Sequence, residues 1–144
     1  MLIEGLSEKE TNVREEAAKG IGAIAGRLSQ DMVMDILDYI LNLYPTPQTQ
    51  HSVCLTIAEL IRRNLLSPEK VKELYLLMSE SLLYEKEEGG YSIGQAVRDA
   101  ACYMTWSVAR AYEQGGFELG ISLIIAACFD REVGCRRAAS AAYQ

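Results

Sequence analysis

A chain of 144 residues, 49% of them hydrophobic, is long enough to bury one sizeable core. Its net charge of −6 and pI near 4.8 exclude broad contact with a phosphate backbone, which needs clustered Lys and Arg, so no nucleic acid is expected as partner. The longest uncharged apolar stretch is the eleven residues between Glu118 and Asp130, short of the roughly 20 that span a bilayer, so no membrane is expected either.

Cys54, Cys102, Cys128 and Cys135 sit in apolar or small-residue periodic segments without the close pairing of a disulfide-stapled secreted domain, and read as reduced thiols. Met1-Leu2-Ile3-Glu4 has no basic region leading into an apolar run, so no signal peptide is visible. The expected location is cytoplasmic.

In chain order, a first helix is predicted over about Asn12 to Leu28. Ser7 or Thr11 is its N-cap, and Val13, Ala17, Ile21, Ile24 and Leu28 form its apolar stripe. A second runs from about Met32 to Tyr44, capped by Asp31 and ended by Pro45 and Pro47. After a polar loop from Thr46 to Gln50, a third covers about His51 to Leu65. Ser67-Pro68 is an N-cap followed by a first-turn proline, opening a fourth that reaches Leu83 or Tyr84. Glu85 to Gly90 reads as a charged, flexible loop, and Ser92-x-x-Gln95 as a capping box for a fifth helix holding Val97 to Tyr112. Gly115-Gly116 breaks the chain before a sixth helix, about Phe117 to Cys128, and Asp130 caps a seventh from about Glu132 that is still running at Gln144. No segment shows the period-2 alternation of a half-buried strand.

A motif recurs through these helices: Val13-Arg14-x-x-Ala17-Ala18, Val97-Arg98-x-x-Ala101-Cys102 and Cys135-Arg136-x-x-Ala139-Ser140, with a degenerate copy at Val53-Cys54-x-x-Ile57-Ala58. The steps are 13 to 53 (40), 53 to 97 (44) and 97 to 135 (38). A period in this range means a supersecondary unit stacked on copies of itself, because one helix pair cannot cover its own apolar face. The expected fold is all-α, a right-handed α-solenoid of HEAT/armadillo-like hairpins with about seven helices. It forms one domain over residues 1–144 with repeat units near 1–28, 29–66, 67–113 and 114–144. The odd helix count and the small apolar run Ala138 to Tyr143 are those of a stretch from a longer array. Small residues at the motif's end permit close approach. The arginines Arg14, Arg98 and Arg136 read as a ladder between repeats, each pairing with a carboxylate or carbonyl, with Asp130 among the structural residues.

Catalytic signals are weak. Gly20-x-Gly22-x-x-x-Gly26 lies inside a helix, where close packing and not a dinucleotide explains the glycines. His51, the lone histidine, opens a helix after a polar loop and reads as solvated or capping. No cysteine or histidine spacing fits zinc, so neither metal nor cofactor is expected. The basic doublet Arg62-Arg63, Arg137 beside Arg136, and Trp106 with Arg110 one turn later, set for a cation–π contact, are the candidate partner-binding residues. Ion pairing with neighbouring helices is the competing reading for them.

The run Val97-Arg98-Asp99-Ala100-Ala101-Cys102-Tyr103, Trp106, Ala109-Arg110-Ala111-Tyr112, and Phe129-Asp130-Arg131-Glu132 with Cys135-Arg136-Arg137-Ala138-Ala139-Ser140-Ala141-Ala142, resembles the HEAT-repeat region of the tubulin folding cofactor D (tubulin-specific chaperone D) family. Leu2-Ile3-Glu4-Gly5-Leu6, Ala17 to Gly22, Ala25 to Leu28 and Ala58-Glu59-Leu60-x-Arg62-Arg63 follow the same pattern in order, while Gln114 to Ile121 is shorter than in the family. The resemblance implies a large non-enzymatic scaffold that captures β-tubulin after chaperonin release. It also implies cofactors E and C and an ADP-ribosylation-factor-like small GTPase as partners, and, with cofactor C, stimulation of GTP hydrolysis by tubulin. A generic HEAT adaptor for trafficking or transport is the rival reading, and a helical enzyme domain a third without the usual catalytic constellations.

Overall fold

The computed structural model describes residues 2–112 and 117–144. Among them are nine helices and one small hairpin: α1 (Leu2–Gly5), α2 (Thr11–Ala25), α3 (Gln30–Leu41), α4 (Pro47–Arg62), α5 (Pro68–Glu73), α6 (Tyr75–Leu82), β1 (Lys86–Glu88), β2 (Tyr91–Ile93), α7 (Gln95–Ala111), α8 (Phe117–Phe129) and α9 (Val133–Tyr143). The count exceeds the expected seven for two reasons. A four-residue α1 precedes α2, and the fourth helix is divided at Leu74, whose N–H bonds to Val71 O three residues back and tightens the turn. The expected break at Gly115-Gly116 lies outside the described residues.

Capping differs from the sequence reading in detail. Ser29, not Asp31, caps α3 by accepting the Met32 N–H, and Asp31 falls in the first turn. Helix α4 starts at Pro47 and not His51, because Thr46 and Thr49 satisfy each other's backbone N–H groups and a proline at the first position loses no helical hydrogen bond. It ends in a Schellman motif. Asn64 takes a left-handed φ of 55°, with Asn64 N–H on Ile61 O and Leu65 N–H on Leu60 O. Ser67 caps α5 as expected. Neither Ser7 nor Thr11 caps α2, whose N-cap position is Glu10 without a side-chain bond. The expected capping box Ser92-x-x-Gln95 needs Ser92 at the N-cap, but that position is held by Gly94, with Gln95 the first residue of α7. Glu132, not Asp130, holds the N-cap position of α9.

The charged segment expected as a flexible loop is an antiparallel hairpin, Lys86 facing Ile93 and Glu88 facing Tyr91. Gly89 and Gly90 have φ of 60° and 81°, the two positive values that a two-residue type I′ turn demands.

The motif-bearing helices form one row, α2 against α4, α4 against α7 and α7 against α9. Residues near the starts of α2 and α4 meet each other, Arg14 with His51, as do residues near their ends, Gly22 with Glu59, so the two run parallel. Tyr103 reaching Glu59 and Tyr112 reaching Leu66 extend that direction to α7. Helices α6 and α8 pack together behind the row, α6 on α7 and α8 on α9, while α1 packs on α2 and α3 on α4. Helix α4 is the centre. Ile57, Leu60 and Ile61 are fully buried, each contributing about 1.5–3 kcal/mol of transfer free energy. The face of α2 turned to the core carries Ala17, Ala18, Ile21, Gly22 and Ala25, whereas Val13 and Ile24 of the predicted stripe are 44% and 49% exposed. Small side chains rather than aliphatic ones face α4 because α2 lies so close that a Cβ on Gly22 would come within 2.9 Å of Glu59 Cβ.

Gly94 is a second enforced glycine: φ is 150° and a Cβ would sit 2.6 Å from Tyr84 O. Gly94→Ala is expected to cost about 1–3 kcal/mol of stability, read as an earlier midpoint in urea unfolding followed by circular dichroism. An unchanged midpoint would show that this backbone relaxes freely.

Candidate functional site

Because α2, α4 and α7 run parallel, residues at the same offset from the leading aliphatic of each motif lie side by side. Six residues after Val53 is Glu59, and six after Val97 is Tyr103. Tyr103 Oη donates to Glu59 Oε1 at 3.1 Å, and Arg63 Nη1 donates to Glu59 Oε2 at 2.7 Å. Arg62 Nη2 approaches the same oxygen only to 3.8 Å. On α7 the Tyr103 ring stacks on Trp106, centroids 5.9 Å apart with 18° between planes, and the Arg110 guanidinium lies 5.4 Å above the Trp106 ring. Arg62, Arg63, Trp106 and Arg110 thus belong to one connected ridge, from Arg63 through Glu59 and Tyr103 to Trp106 and Arg110. Arg137 does not join it. It is exposed on α9, where Val133, Arg136, Ser140, Ala141 and Gln144 share its depression.

Burial and the nearby Glu59 carboxylate both push the Tyr103 phenol up, so at neutral pH it remains a donor. Glu59 is 4% exposed, with one hydrogen bond on each oxygen. Arg62 and Arg110 are exposed, and among the described residues Arg110 has no ion pair.

The motif arginines are placed differently. Arg14 Nη1 donates to the carbonyls of Glu8 and Lys9, and Arg136 Nη1 to those of Asp130 and Arg131, six and five residues back in both cases. Each thereby closes the turn that enters its own helix. Arg98 Nη1 donates to Tyr84 O, fourteen residues back, the extra eight being the hairpin span from Lys86 to Ile93. The Nε atoms point to later elements: Arg14 to His51 Nδ1 at 3.0 Å, Arg98 to Asp130 Oδ2 at 2.6 Å with Nη2 on Oδ1 at 3.1 Å. Burial alone would raise the Asp130 carboxyl, but the hydrogen bonds from Arg98 and the Glu132 N–H outweigh it and hold it below its usual range.

His51, expected to be solvated or capping, is 4% exposed in the core. Burial first, and then the Arg14 charge, push it down to about 4, so it is neutral and accepts from the guanidinium. Arg14 itself is 4% exposed and is lowered by burial, although Glu15 and Glu10 oppose the shift. Burial raises Cys54 to about 11 and Cys102 to about 12, which keeps both as inert thiols. Among the described residues no three His, Cys, Asp or Glu side chains are grouped to hold a metal ion, and no helix is long and apolar enough to cross a membrane.

The family model described as Tubulin-specific chaperone D-like, ARM repeats matches residues 1–144. The chain belongs to this family. It is 35% identical over 152 residues to Tubulin-specific chaperone D of Dictyostelium discoideum, covering 96% of the chain and 10% of that relative. It is 29% identical over 163 residues to Tubulin-folding cofactor D of Schizosaccharomyces pombe, covering 98% of the chain and 15% of that relative. The chain therefore spans about a tenth to a seventh of the length of these curated relatives. No solved structure matches it. Within this ARM-repeat segment of the chaperone D family, Glu59 and Tyr103 are the ridge residues that sequence reasoning missed as site members, and their shared offset from the motif is the signal that exposes them.

Replacing Arg98 by Met leaves the Asp130 carboxylate buried and uncompensated, and should cost about 3–5 kcal/mol. The double variant Arg98→Met with Asp130→Leu should recover much of that loss in the same unfolding titration. For His51, the unfolded chain binds a proton near pH 6.5 while the folded chain resists until about 4. Stability should thus be full above pH 6.5 and fall by about 3 kcal/mol as pH drops through that window. Thermal melts across the window, with His51→Gln as the variant expected to lose this slope, check it.

Proposed function

We propose that this chain is one stretch of a non-enzymatic, cytoplasmic scaffold that binds β-tubulin and assists assembly and disassembly of the αβ-tubulin heterodimer. It works with other tubulin folding cofactors and an ADP-ribosylation-factor-like small GTPase, and contributes to GTPase activation on tubulin. Membership of the chaperone D family supports the partner class. The observation that carries the surface is the ridge: two helices of a parallel row present an exposed guanidinium, an aromatic shelf and a second exposed guanidinium in one connected patch. Aromatic and Arg side chains held rigidly in this way are what binding hot spots use. Arg14 and Arg98, with Asp130, act in this reading as braces that set the spacing of successive helix pairs, and Arg136 as the clasp of the turn entering α9, so that the row of inner helices holds its shape while a partner is bound.

Immobilised chain should retain purified β-tubulin. Trp106→Ala combined with Arg110→Ala should weaken retention about tenfold or more with an unchanged melting midpoint, whereas Arg137→Glu, off the ridge, should change it little. If the unsubstituted chain retains no β-tubulin, the tubulin reading fails and a general helical-repeat adaptor takes its place.

A further inference from the structure

The ridge has an electrical direction. Counted from the leading aliphatic of each motif, Glu15 and Glu16 lie two and three residues along α2 and Asp99 two along α7. Arg62 and Arg63 lie nine and ten along α4, and Arg110 thirteen along α7. On parallel helices equal offsets are equal heights, so, the buried Arg14 and Arg98 at offset one apart, these carboxylates of α2 and α7 lie at one end of the three helices and the guanidiniums of Arg62, Arg63 and Arg110 at the other. The carboxylate end is crowded enough that burial, and then Glu15, raise the Asp99 carboxyl above its usual range. At the arginine end Arg62 and Arg63 share one carboxylate, Glu59, and each of its oxygens already accepts a hydrogen bond, one from Arg63 at 2.7 Å and one from Tyr103 at 3.1 Å. Arg62, at 3.8 Å, and Arg110, which among the described residues meets the Trp106 ring and no carboxylate, retain most of their donor capacity. In a chain of net charge −6 this end is a local reversal of sign.

We infer that the arginine end of the ridge is a docking site for a short acidic segment of a partner protein, with Asp or Glu carboxylates meeting Arg62 and Arg110 and the intervening chain lying on Trp106. This rests on the ridge being the contact surface proposed above and adds the chemistry of what it holds. Charge complementarity selects the occupant, since bidentate carboxylate pairing is what free guanidiniums satisfy best. The opposite end limits its length. A long polyanion such as duplex DNA, laid along the row, would run onto Glu15, Glu16 and Asp99, where like charges repel it.

The test is fluorescence anisotropy of the chain titrated against a labelled peptide of about seven residues containing four glutamates and glycine spacers, at about 50 and about 300 mM salt. The peptide should bind, weaken several-fold at the higher salt, and lose about tenfold or more of its affinity in Arg62→Glu with Arg110→Glu. Arg137→Glu should match the unsubstituted chain. Trp106→Ala should weaken binding while leaving the salt dependence in place, which separates the aromatic shelf from charge alone. Both arginines are exposed, and an unchanged melting midpoint confirms that the variants fold. Absence of peptide binding, an equal loss in Arg137→Glu, or duplex DNA binding as tightly as the peptide would overturn the inference. If β-tubulin is retained while the peptide neither binds nor competes, the acidic-segment inference fails and the scaffold reading stands. If tubulin is not retained but the peptide binds at the arginines, the acidic site stands without the tubulin assignment.

Discussion

The arginine in second place in three of the four motif copies, at 14, 98 and 136, organises the molecule. Its planar head has enough donors to do two things at once: Nη1 gathers carbonyls of the turn entering its own helix, and in Arg14 and Arg98 Nε reaches the element that follows. A lysine has three donors on one nitrogen and lacks the planar array that sets Nε and Nη1 on partners so far apart. Because Arg14 and Arg98 are buried, their bonds are made in a medium where an unmet donor is costly, and that cost converts a local turn into a definite position for the next helix pair. Arg14 meets this with a neutral imidazole, Arg98 with a carboxylate. The two solutions differ in their response to acid although their geometry is alike.

From this bracing follows the parallel row, and from the row the ridge. Helix α4 is enclosed by α2, α7 and the helices behind, so beyond the half-buried Pro47, Gln48, Gln50 and Leu55 it turns outward at its end, at the exposed Arg62 and the partly exposed Arg63 that follows it. Glu59 lies beneath them as a shared acceptor, which ties α4 to α7 through Tyr103 while Gly22 lets α2 press against its Cβ. Three helices therefore converge on one carboxylate, and the exposed groups around it inherit the rigidity of the core.

Much of this was legible in order of range. Helical periodicity predicts the motif helices, and one-turn spacing predicts Arg110 over Trp106, because both depend on neighbours within a few residues. Ser67-Pro68 marks a helix start for the same reason. His51 was misread because its burial is caused by Arg14, 37 residues earlier in the chain, and nothing local distinguishes it from a solvated cap. The early start of α4 was hidden by Pro47, which ends one helix as readily as it begins the next. The hairpin escaped because strands of three residues are too short to show alternation, although Gly89-Gly90 carries its turn. The ridge was half visible: its exposed members are recognisable by residue type and Gly22 reads as a packing glycine, whereas Glu59 and Tyr103 matter only once the helices are known to be parallel.

The hairpin leaves and rejoins the chain at almost one point, with Arg98 holding Tyr84 O while Gly94 lies against the same carbonyl. What the arginine senses is the closing of that neck, not the amount of chain beyond it. Sequence distance between successive motifs is thereby uncoupled from their spacing in space, and the 44-residue step from Val53 to Val97 can sit in the same row as a 40-residue one. A stacked array joined at such necks can gain or lose loop length at a repeat boundary without disturbing the surface on the other side.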